Sequence, residues 1–317
     1  MAVQNNFAPG VDGLTYKPNT YAELGDMIGK IAYQVIRQVE AKNPLAVFDK
    51  MPVNKGDTIE QAVIKLVEAE AYDESGANAL TRSTKKKMVV RYFNNWERRK
   101  YQQTVDISKL RKALADGTDT ETIASNLVSV LSQSRIDDKF QNLKALLKWG
   151  TTNGSLSSSA AVLKNVGDIN VGANNVPDYK AILKKLKDTV KGMQFVNADF
   201  NTSGLRRRTR PEDIYIIAPY TIINAIDVDE LSGVFNLSKA EIQNKLIEID
   251  STDTFIYVVD QNAILDYTRL YELVNQLNAD GLFYNYFLHV EDLFAISPLF
   301  DCCYFNYAKS AAAEATA

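Results

Sequence analysis

The sequence predicts an α+β protein built from dissimilar parts, and three observations lead to this fold class. A long amphipathic helical period occupies the middle of the chain, around residues 118–150. Short apolar runs typical of strands alternate with a helical pattern over residues 211–280, and strand-like aromatic runs fill residues 281–305. We find no internal repeat with a period of about 20 to 50 residues, which argues against solenoids and propellers.

Composition indicates a globular chain. With 317 residues, 46% of them hydrophobic, it has enough apolar side chains to form a sizeable core. The first residues, MAVQNNFAPG, lack a basic region followed by an apolar run, so we expect no secretory signal. No apolar stretch approaches the roughly 20 residues that span a bilayer. We therefore expect a soluble protein that is made in a cytoplasm and has no membrane partner.

The first half of the chain predicts three elements. Residues 1–50 read as an N-terminal arm and a lead-in helix, because apolar residues recur at three- and four-residue steps from Leu24 to Ile36. Residues 51–105 read as an extended loop, a projecting hairpin with a polar tip at Asp73–Thr84 and the strand formers Met88–Phe93. This hairpin has too few apolar residues to bury itself, so we expect it to lie on something else.

Residues 106–210 predict two helices joined by a loop rich in Gly, Ser and Asn. The first begins with the capping box Thr118-x-x-Glu121 and ends near Gly150, a rod of about 30 residues and roughly 45 Å. Its spacing places Val130 on the inner face. The second runs from about Asp178 to Gly192, with Tyr179 and Ile182 inward.

The last third predicts a compact α/β segment and returning strands. Over residues 211–280 we expect strands at Asp213–Ala218 and Thr254–Val259, with a helix opened by Ser238 between them. Over residues 281–308 we expect strands around Tyr284–Val290 and Leu293–Tyr304, and we expect residues 309–317 to fray.

Charge is unevenly distributed along the chain. From Thr81 to Lys112 there are eleven Lys or Arg against two acids, whereas from Pro211 to the end seventeen acids face four bases. A basic strip and an acidic surface in one molecule suit nucleic acid binding or attraction between subunits. The candidate inter-subunit contacts on the strip, with Trp96 as an exposed aromatic among cations, are Lys85, Lys86, Lys87, Arg91, Trp96, Arg98, Arg99 and Lys100.

A second basic cluster leaves three interpretations open. Arginine serves phosphates and carboxylates alike, so the cluster could face nucleic acid, pair with acids of a neighbouring subunit or form a solvated turn. Its members are Arg206, Arg207, Arg208 and Arg210.

The residues give little support to enzyme chemistry. Cys302 and Cys303 are adjacent and read as two buried apolar side chains, and with a single histidine, His289, a structural zinc site is excluded. His289 lies in a strand-like run, where we expect a half-buried structural role. The two main Gly-rich phosphate-binding motifs, G-x-G-x-x-G and G-x-x-x-x-G-K-[ST], are both absent.

We expect no catalytic, cofactor or metal site. The remaining enzyme hypothesis is a metal-assisted hydrolase that uses Asp227, Asp229 and Glu230, but these acids are more simply interpreted as the start of a helix.

Four stretches carry a resemblance to a known family. They are IGKIAYQVIRQVEAKNPLAVF (Ile28–Phe48), GDTIEQAV (Gly56–Val63), IDVDELSGVFN (Ile226–Asn236) and GLFYNYFLHVEDLFAISPLFDCCYF (Gly281–Phe305). They look like the major head proteins of the phi twenty-nine-type podophages, and the order of elements is similar to the tailed-phage major capsid fold first seen in phage Hong Kong ninety-seven. The similarity runs from about residue 22 to 307.

The resemblance implies a shell of many copies, in pentamers and hexamers, assembled in a host bacterial cytoplasm with a scaffolding protein and a portal. That shell would enclose double-stranded DNA without sequence specificity. It also implies an extended loop at 51–105 lying over the adjacent subunit, a spine helix within a peripheral domain at 106–210, an axial domain at 211–280 and peripheral return strands at 281–308.

The phi twenty-nine head protein carries a further C-terminal immunoglobulin-like domain for which we see no counterpart here, so we do not expect its functions to transfer. Covalent cross-linking has no basis in the residues. An encapsulin-like cargo compartment of the same fold is the alternative function.

Overall fold

The computed structural model describes residues 3–4, 15–16, 40–54, 56–67, 69, 74, 88–106, 117–152, 162–170, 177–224, 245–250, 253–281 and 283–308. The predicted lead-in helix, most of the polar tip, the helix opened by Ser238 and the C-terminal tail lie outside these residues.

The described residues form twelve strands and three α-helices. The strands are β1 Val3–Gln4, β2 Thr15–Tyr16, β3 Ile59–Ile64, β4 Met88–Phe93, β5 Trp96–Val105, β6 Lys164–Asn165, β7 Ile214–Pro219, β8 Leu246–Ile249, β9 Phe255–Asp260, β10 Ile264–Asn278, β11 Phe283–Ile296 and β12 Cys302–Asn306. The helices are α1 Gly117–Thr152, α2 Tyr179–Met193 and α3 Tyr220–Ile223, with 3-10 turns at Pro44–Phe48 and Pro211–Asp213.

The strands belong to four sheets. Strands β1 and β2 pair with each other, β3 and β4 form an antiparallel hairpin, and β10, β11 and β5 form a three-stranded sheet in that order. A five-stranded mixed sheet has the order β6-β12-β9-β7-β8, in which β6 and β8 pair in parallel with their neighbours and the inner pairs are antiparallel. Helices and sheets together confirm the predicted α+β class.

The five-stranded sheet is covered by a helix on each face. Side chains alternate between faces along each strand, so Ile216 and Val258 pack on one side while Ile217 and Val259 pack on the other. The first face is covered by α2 through Ile182, Leu186, Val190 and Met193, and the second by α1 through Phe140, Leu143 and Leu147. This sheet with its two helical layers forms the main core.

Helix α1 confirms the predicted rod but extends it at both ends. It has 36 residues, about 54 Å at the helical rise, and it begins one residue before Thr118, which therefore lies inside the helix rather than at its N-cap. Of the predicted inward positions, Val130 is exposed. Gly150 does not end the helix; an added Cβ there would come within 2.7 Å of Leu163, so the glycine permits close packing.

Helix α2 lies within one residue of its predicted position. The Asp178 carboxylate accepts hydrogen bonds from the backbone N–H groups of Lys180 and Ala181, which satisfies two of the helix's unpaired donors. Ile182 is buried as predicted. Tyr179, the first residue of the helix, is exposed, contrary to prediction.

The strands of the last third differ from the prediction in three ways. Residues 283–296 form one continuous strand, β11, and the break before β12 falls at residues 297–301, inside the predicted second run. Strand β10, with 15 residues, and the short parallel strand β8 were not predicted. The strands at Ile214–Pro219 and Phe255–Asp260 confirm the prediction to within one residue.

The chain divides into two compact units. One comprises residues 1–42, 98–138 and 271–290, and its described core contains Leu131, Leu288 and Val290. The other comprises residues 43–97, 139–270 and 291–317 and contains the five-stranded sheet. The six-part division into arm, loop, peripheral and axial segments stays a prediction.

Candidate interaction surfaces

The predicted basic strip is divided between two strands. Arg91 lies on β4, and Trp96, Arg98, Arg99 and Lys100 lie on β5. Arg91, Arg98 and Lys100 are exposed. Lys85, Lys86 and Lys87 lie outside the described residues, so their role stays a prediction.

Two of these cations also have partners within the chain. Arg99 Nη1 lies 3.9 Å from Asp138 Oδ2, and the Lys100 ammonium lies 5.3 Å from the ring centroid of Phe287, a cation–π distance. The carboxylate of Asp138 also accepts a 2.6 Å hydrogen bond from the Tyr101 hydroxyl, and burial raises the pKa of Tyr101. The strip is therefore not a uniform row of unpaired charges.

Trp96 is half-buried, and the expectation of an exposed aromatic is wrong. Its ring packs in a small apolar cluster with Ile59 and Leu293, and the guanidinium carbon of Arg269 lies 4.5 Å from its centroid. The sequence places Trp96 among cations, but the cation that it contacts comes from β10, far away along the chain.

The β3–β4 hairpin presents an apolar face that is exposed. Residues directly opposite one another share a face, and the pairs Ile64–Met88, Ala62–Val90 and Glu60–Tyr92 lie on the same one. Ile64 is 78% exposed, Tyr92 66% and Met88 53%. The opposite face carries Ile59, which is buried. Because solvent-exposed apolar residues grouped on one face mark interaction sites, this face is the stronger interface candidate on the hairpin.

The arginine cluster is split by the alternation of an extended segment. Arg207 points inward: its Nη2 lies 2.8 Å from Asp260 Oδ2 and its Nε 3.5 Å from Asp301 Oδ2. It also donates to the carbonyl of Leu299 and lies over the ring of Phe300. None of the three interpretations of the cluster holds for Arg207, since its acids belong to its own chain.

The other three arginines are on the surface. Arg206 and Arg208 are exposed, and Arg210 lies 3.7 Å from the exposed Glu212. Their assignment as a subunit-facing or DNA-facing group stays a prediction.

Part of the negative charge in the described residues of the acidic last third is buried. Five of its described acids are buried: Asp260, Asp266, Glu291, Asp292 and Asp301. Arg207 contacts two of them, Lys139 lies 2.9 Å from Asp266, and Arg269 donates to Glu291 at 2.6 Å. Two further acids, Asp250 and Asp253, pair with Lys144 and Lys148 on α1. These seven acids are buried or paired within the chain and do not form an acidic face opposing the basic strip. For the remaining acids of the last third, such a face stays a prediction.

Asp49, Lys139 and Asp266 form a second ionic cluster, in which Lys139 and Asp266 are buried. Lys139 Nζ donates to Asp49 Oδ1 at 3.0 Å, while its 2.9 Å contact with Asp266 is not aligned as a hydrogen bond. Burial raises the pKa of Asp266 to about 8, and the neighbouring Asp49 adds to this shift.

The groups with reactive potential occupy structural positions. Cys302 and Cys303 are buried and unbridged, as predicted, and each belongs to a cluster of buried hydrophobic side chains. Burial raises the pKa of both thiols. His289 is half-buried on β11 and stacks on Phe287 at 6.4 Å between ring centroids. Within the described ranges, no three His, Cys, Asp or Glu side chains gather as metal ligands, and Asp227, Asp229 and Glu230 lie outside those ranges.

A row of lysines on α2 was missed by the sequence analysis. Lys180, Lys184, Lys187 and Lys191 recur at steps of four, three and four residues, opposite the buried apolar row. The same period that predicted the inner face of the helix also predicts this outer one, so the signal was available. Among the described helices, none is long and apolar enough to cross a membrane.

Comparisons with known proteins agree on one family. The family model for Phi29-like phage major capsid proteins matches residues 1–306. The major capsid protein of Bacillus phage GA-1 is 27% identical over 278 residues, covering 86% of this chain and 57% of the relative, and that of Bacillus phage PZA is 24% identical over 280 residues, covering 86% and 61%. The chain therefore spans about three fifths of the length of these relatives. The major capsid protein of Streptococcus phage Cp-1 is 22% identical, with 90% of this chain and 82% of the relative covered.

Solved structures show the same fold at low identity. A chain of the Staphylococcus phage Andhra capsid has a TM-score of 0.71 at 12% identity, covering 87% of both chains. A chain from the structure of the head fibre and inner core protein of bacteriophage P68 has a TM-score of 0.65 at 12% identity, covering 86% of both. The expected tailed-phage capsid fold is confirmed.

Proposed function

The chain belongs to the Phi29-like phage major capsid protein family, and on this basis we propose that it self-assembles into the head shell of a tailed double-stranded DNA phage. The observation that carries the proposal is the family match over residues 1–306, joined to the fold shared with the Andhra capsid chain. Its place would be the virion, after assembly in the cytoplasm of a host bacterium. The protein would act as a structural subunit and not as an enzyme.

The described surfaces support a role that depends on neighbouring subunits. The hairpin face with Ile64, Met88 and Tyr92 exposes large apolar side chains that nothing in the described part of the chain covers. We propose that the extended loop, residues 51–105, lies on an adjacent copy through this face. Burying such side chains contributes about 25 cal/mol per Å² of apolar area removed from water, so many weak contacts of this kind would add up in a shell.

The partners follow from the family resemblance. We propose that copies form pentamers and hexamers, that a scaffolding protein and a portal take part in assembly, and that the finished shell holds double-stranded DNA without reading its sequence. A spine at α1, an axial segment at 211–280 and return strands at 281–308 complete the proposed arrangement. An encapsulin-like compartment is not favoured, because the family and its relatives are phage capsid proteins.

The test is assembly of the purified protein, alone and with co-expressed scaffolding protein, followed by negative-stain imaging. We expect closed particles tens of nanometres across. Small soluble oligomers under every condition would contradict the shell. Particles that retain a specific enzyme cargo and exclude DNA would favour the compartment instead.

A further inference from the structure

The outer face of α2 carries a straight row of positive charge. Lys180, Lys184, Lys187 and Lys191 fall within one narrow sector of the helix, because steps of four, three and four residues return to nearly the same angle. The first and the last lie eleven positions apart, which is about 16 Å at the helical rise. The first three are exposed and Lys191 is half-buried, and the single acid Asp188 lies beside the row.

These lysines differ from three lysines on α1. Lys139, Lys144 and Lys148 on α1 each lie within 3.0 Å of a carboxylate. For the α2 row, no carboxylate in the described ranges lies within 4.0 Å of an ammonium group. The row is therefore held in place by the buried side of its helix, and its ammonium groups have no carboxylate partner among the described residues.

The chemistry of the row favours nucleic acid over protein. Lysine is depleted in protein–protein interfaces, which are centred on aromatic and apolar anchors. The exposed sector of α2 offers no such anchor apart from Tyr179 at its end, in contrast to the apolar face of the hairpin. Protein–DNA interfaces are more polar and much more positively charged, and lysine ammonium groups neutralise phosphates without reading bases.

Two arginines extend the positive charge at the end of the helix. The backbone N–H of Thr209 donates to the carbonyl of Met193, the last residue of α2, so the segment holding Arg206 and Arg208 is fixed beside that end. Both side chains are exposed, since the alternation that turns Arg207 inward turns them outward.

We propose that the lysine row of α2 is a surface on which this protein binds the phosphate backbone of double-stranded DNA without sequence specificity. The inference rests on the proposed function, because a head-shell subunit is the context in which duplex DNA is the available polyanion.

The test compares two matched double variants in the full-length protein. Lys184→Gln with Lys187→Gln removes two charges from the row, and Lys144→Gln with Lys148→Gln removes two charges that Asp250 and Asp253 already neutralise. Binding to a fluorescent random-sequence duplex is measured by anisotropy over a salt series. We expect the α2 variant to bind the duplex roughly tenfold more weakly, or worse, at about 0.1 M salt. The slope of the logarithm of its binding constant against the logarithm of the salt concentration should be smaller in magnitude than that of the wild type by about 2. We expect the α1 variant to match the wild type.

Several outcomes would overturn the proposal. Equal losses in the two variants would mean that only net charge matters, and an unchanged α2 variant would mean that the row is a solvated surface. If poly-glutamate bound equally tightly and this binding were lost in the same variant, the row would be a binding surface for an acidic protein.

Circular dichroism monitors folding, and Lys180→Gln with Lys187→Gln is the second pair should the first variant fail to fold. Wild-type protein that forms no shells contradicts the proposed function, whereas shells with unaffected DNA binding contradict this inference alone.

Discussion

Arg207 Nη2 lies 2.8 Å from Asp260 Oδ2, with the Asp260 side chain 2% exposed. The same guanidinium approaches Asp301, whose Oδ2 accepts a 2.7 Å hydrogen bond from the Thr209 hydroxyl and whose Oδ1 accepts one from Asn201. One cation thus compensates two enclosed carboxylates that lie at the end of β9 and just before β12. Burial raises the pKa of Asp260, and the neighbouring Arg207 opposes that rise.

Replacing Arg207 should therefore cost far more than replacing its neighbours. Arg207→Met leaves two buried carboxylates without a cation, and we expect a loss of about 3–5 kcal/mol in the free energy of unfolding. Arg208→Met is the matched control, because its exposed side chain should change stability by less than about 0.5 kcal/mol. Urea denaturation of both variants measures the difference. Similar values for the two would contradict an internal role for Arg207.

The internal ion pairs of Arg207 could not be predicted from the sequence. Four arginines within five positions read as one surface feature, and only the alternation of the segment separates Arg207 from Arg206 and Arg208. The acids it meets lie more than 50 residues further along the chain. Counting charge by segment treats each of them as exposed, although Asp260 and Asp301 are buried and pair with Arg207, which lies outside the basic strip.

Elements with local signals were predicted well. Helix α2 was found to within one residue because its apolar period is read from neighbouring residues. Strand β10 was missed because its outer half, Tyr271–Asn278, is exposed throughout and shows no alternation of burial. Such a strand is specified by pairing with β11, which a local pattern does not contain.

The stability of the folded chain should depend on the protonation of Asp266. Its pKa, raised to about 8, lies above the value of about 3.9 for an unfolded Asp. Between about pH 4 and pH 8 the folded protein therefore holds a proton that the unfolded chain has released. The contribution of Asp266 to the free energy of unfolding is fully present below this pH range. It falls by up to about 1.4 kcal/mol per pH unit as the pH rises through the range.

Asp266→Asn tests this dependence, because the amide does not titrate. We expect the wild type to lose stability relative to the variant when the pH is raised from about 5 to about 8, as measured by urea denaturation at each pH. Asp280→Asn, in an exposed turn, is the control and should leave the pH profile of the wild type unchanged. Parallel profiles for the wild type and Asp266→Asn would show that Asp266 is ionised throughout.

The N-cap of α2 should contribute measurably to stability. Asp178→Ala removes the acceptor for the N–H groups of Lys180 and Ala181, and we expect a loss of about 1 kcal/mol. Asp178→Asn keeps an acceptor oxygen and should recover most of this loss. Asp188→Ala, on the exposed side of the same helix, removes the same charge without a cap and should change stability little. If Asp188→Ala and Asp178→Ala cost the same, the effect is one of charge and not of capping.

Assembly should depend more on the apolar face of the hairpin than on its cations. Ile64→Ser with Met88→Ser removes a cross-strand pair that is exposed in the single chain, so the free energy of unfolding should fall by no more than about 1 kcal/mol. On an adjacent copy the same pair would bury its full apolar area, and we expect the yield of closed particles, counted by negative-stain imaging, to fall to a small fraction of the wild type. Arg98→Gln with Lys100→Gln is the comparison: surface charges contribute little and are screened by salt, so this variant should form particles in a yield close to that of the wild type, and its yield should depend less on salt concentration. If the charge variant abolishes assembly while the Ser variant assembles normally, the interface lies on β5 and not on the apolar face of β3 and β4.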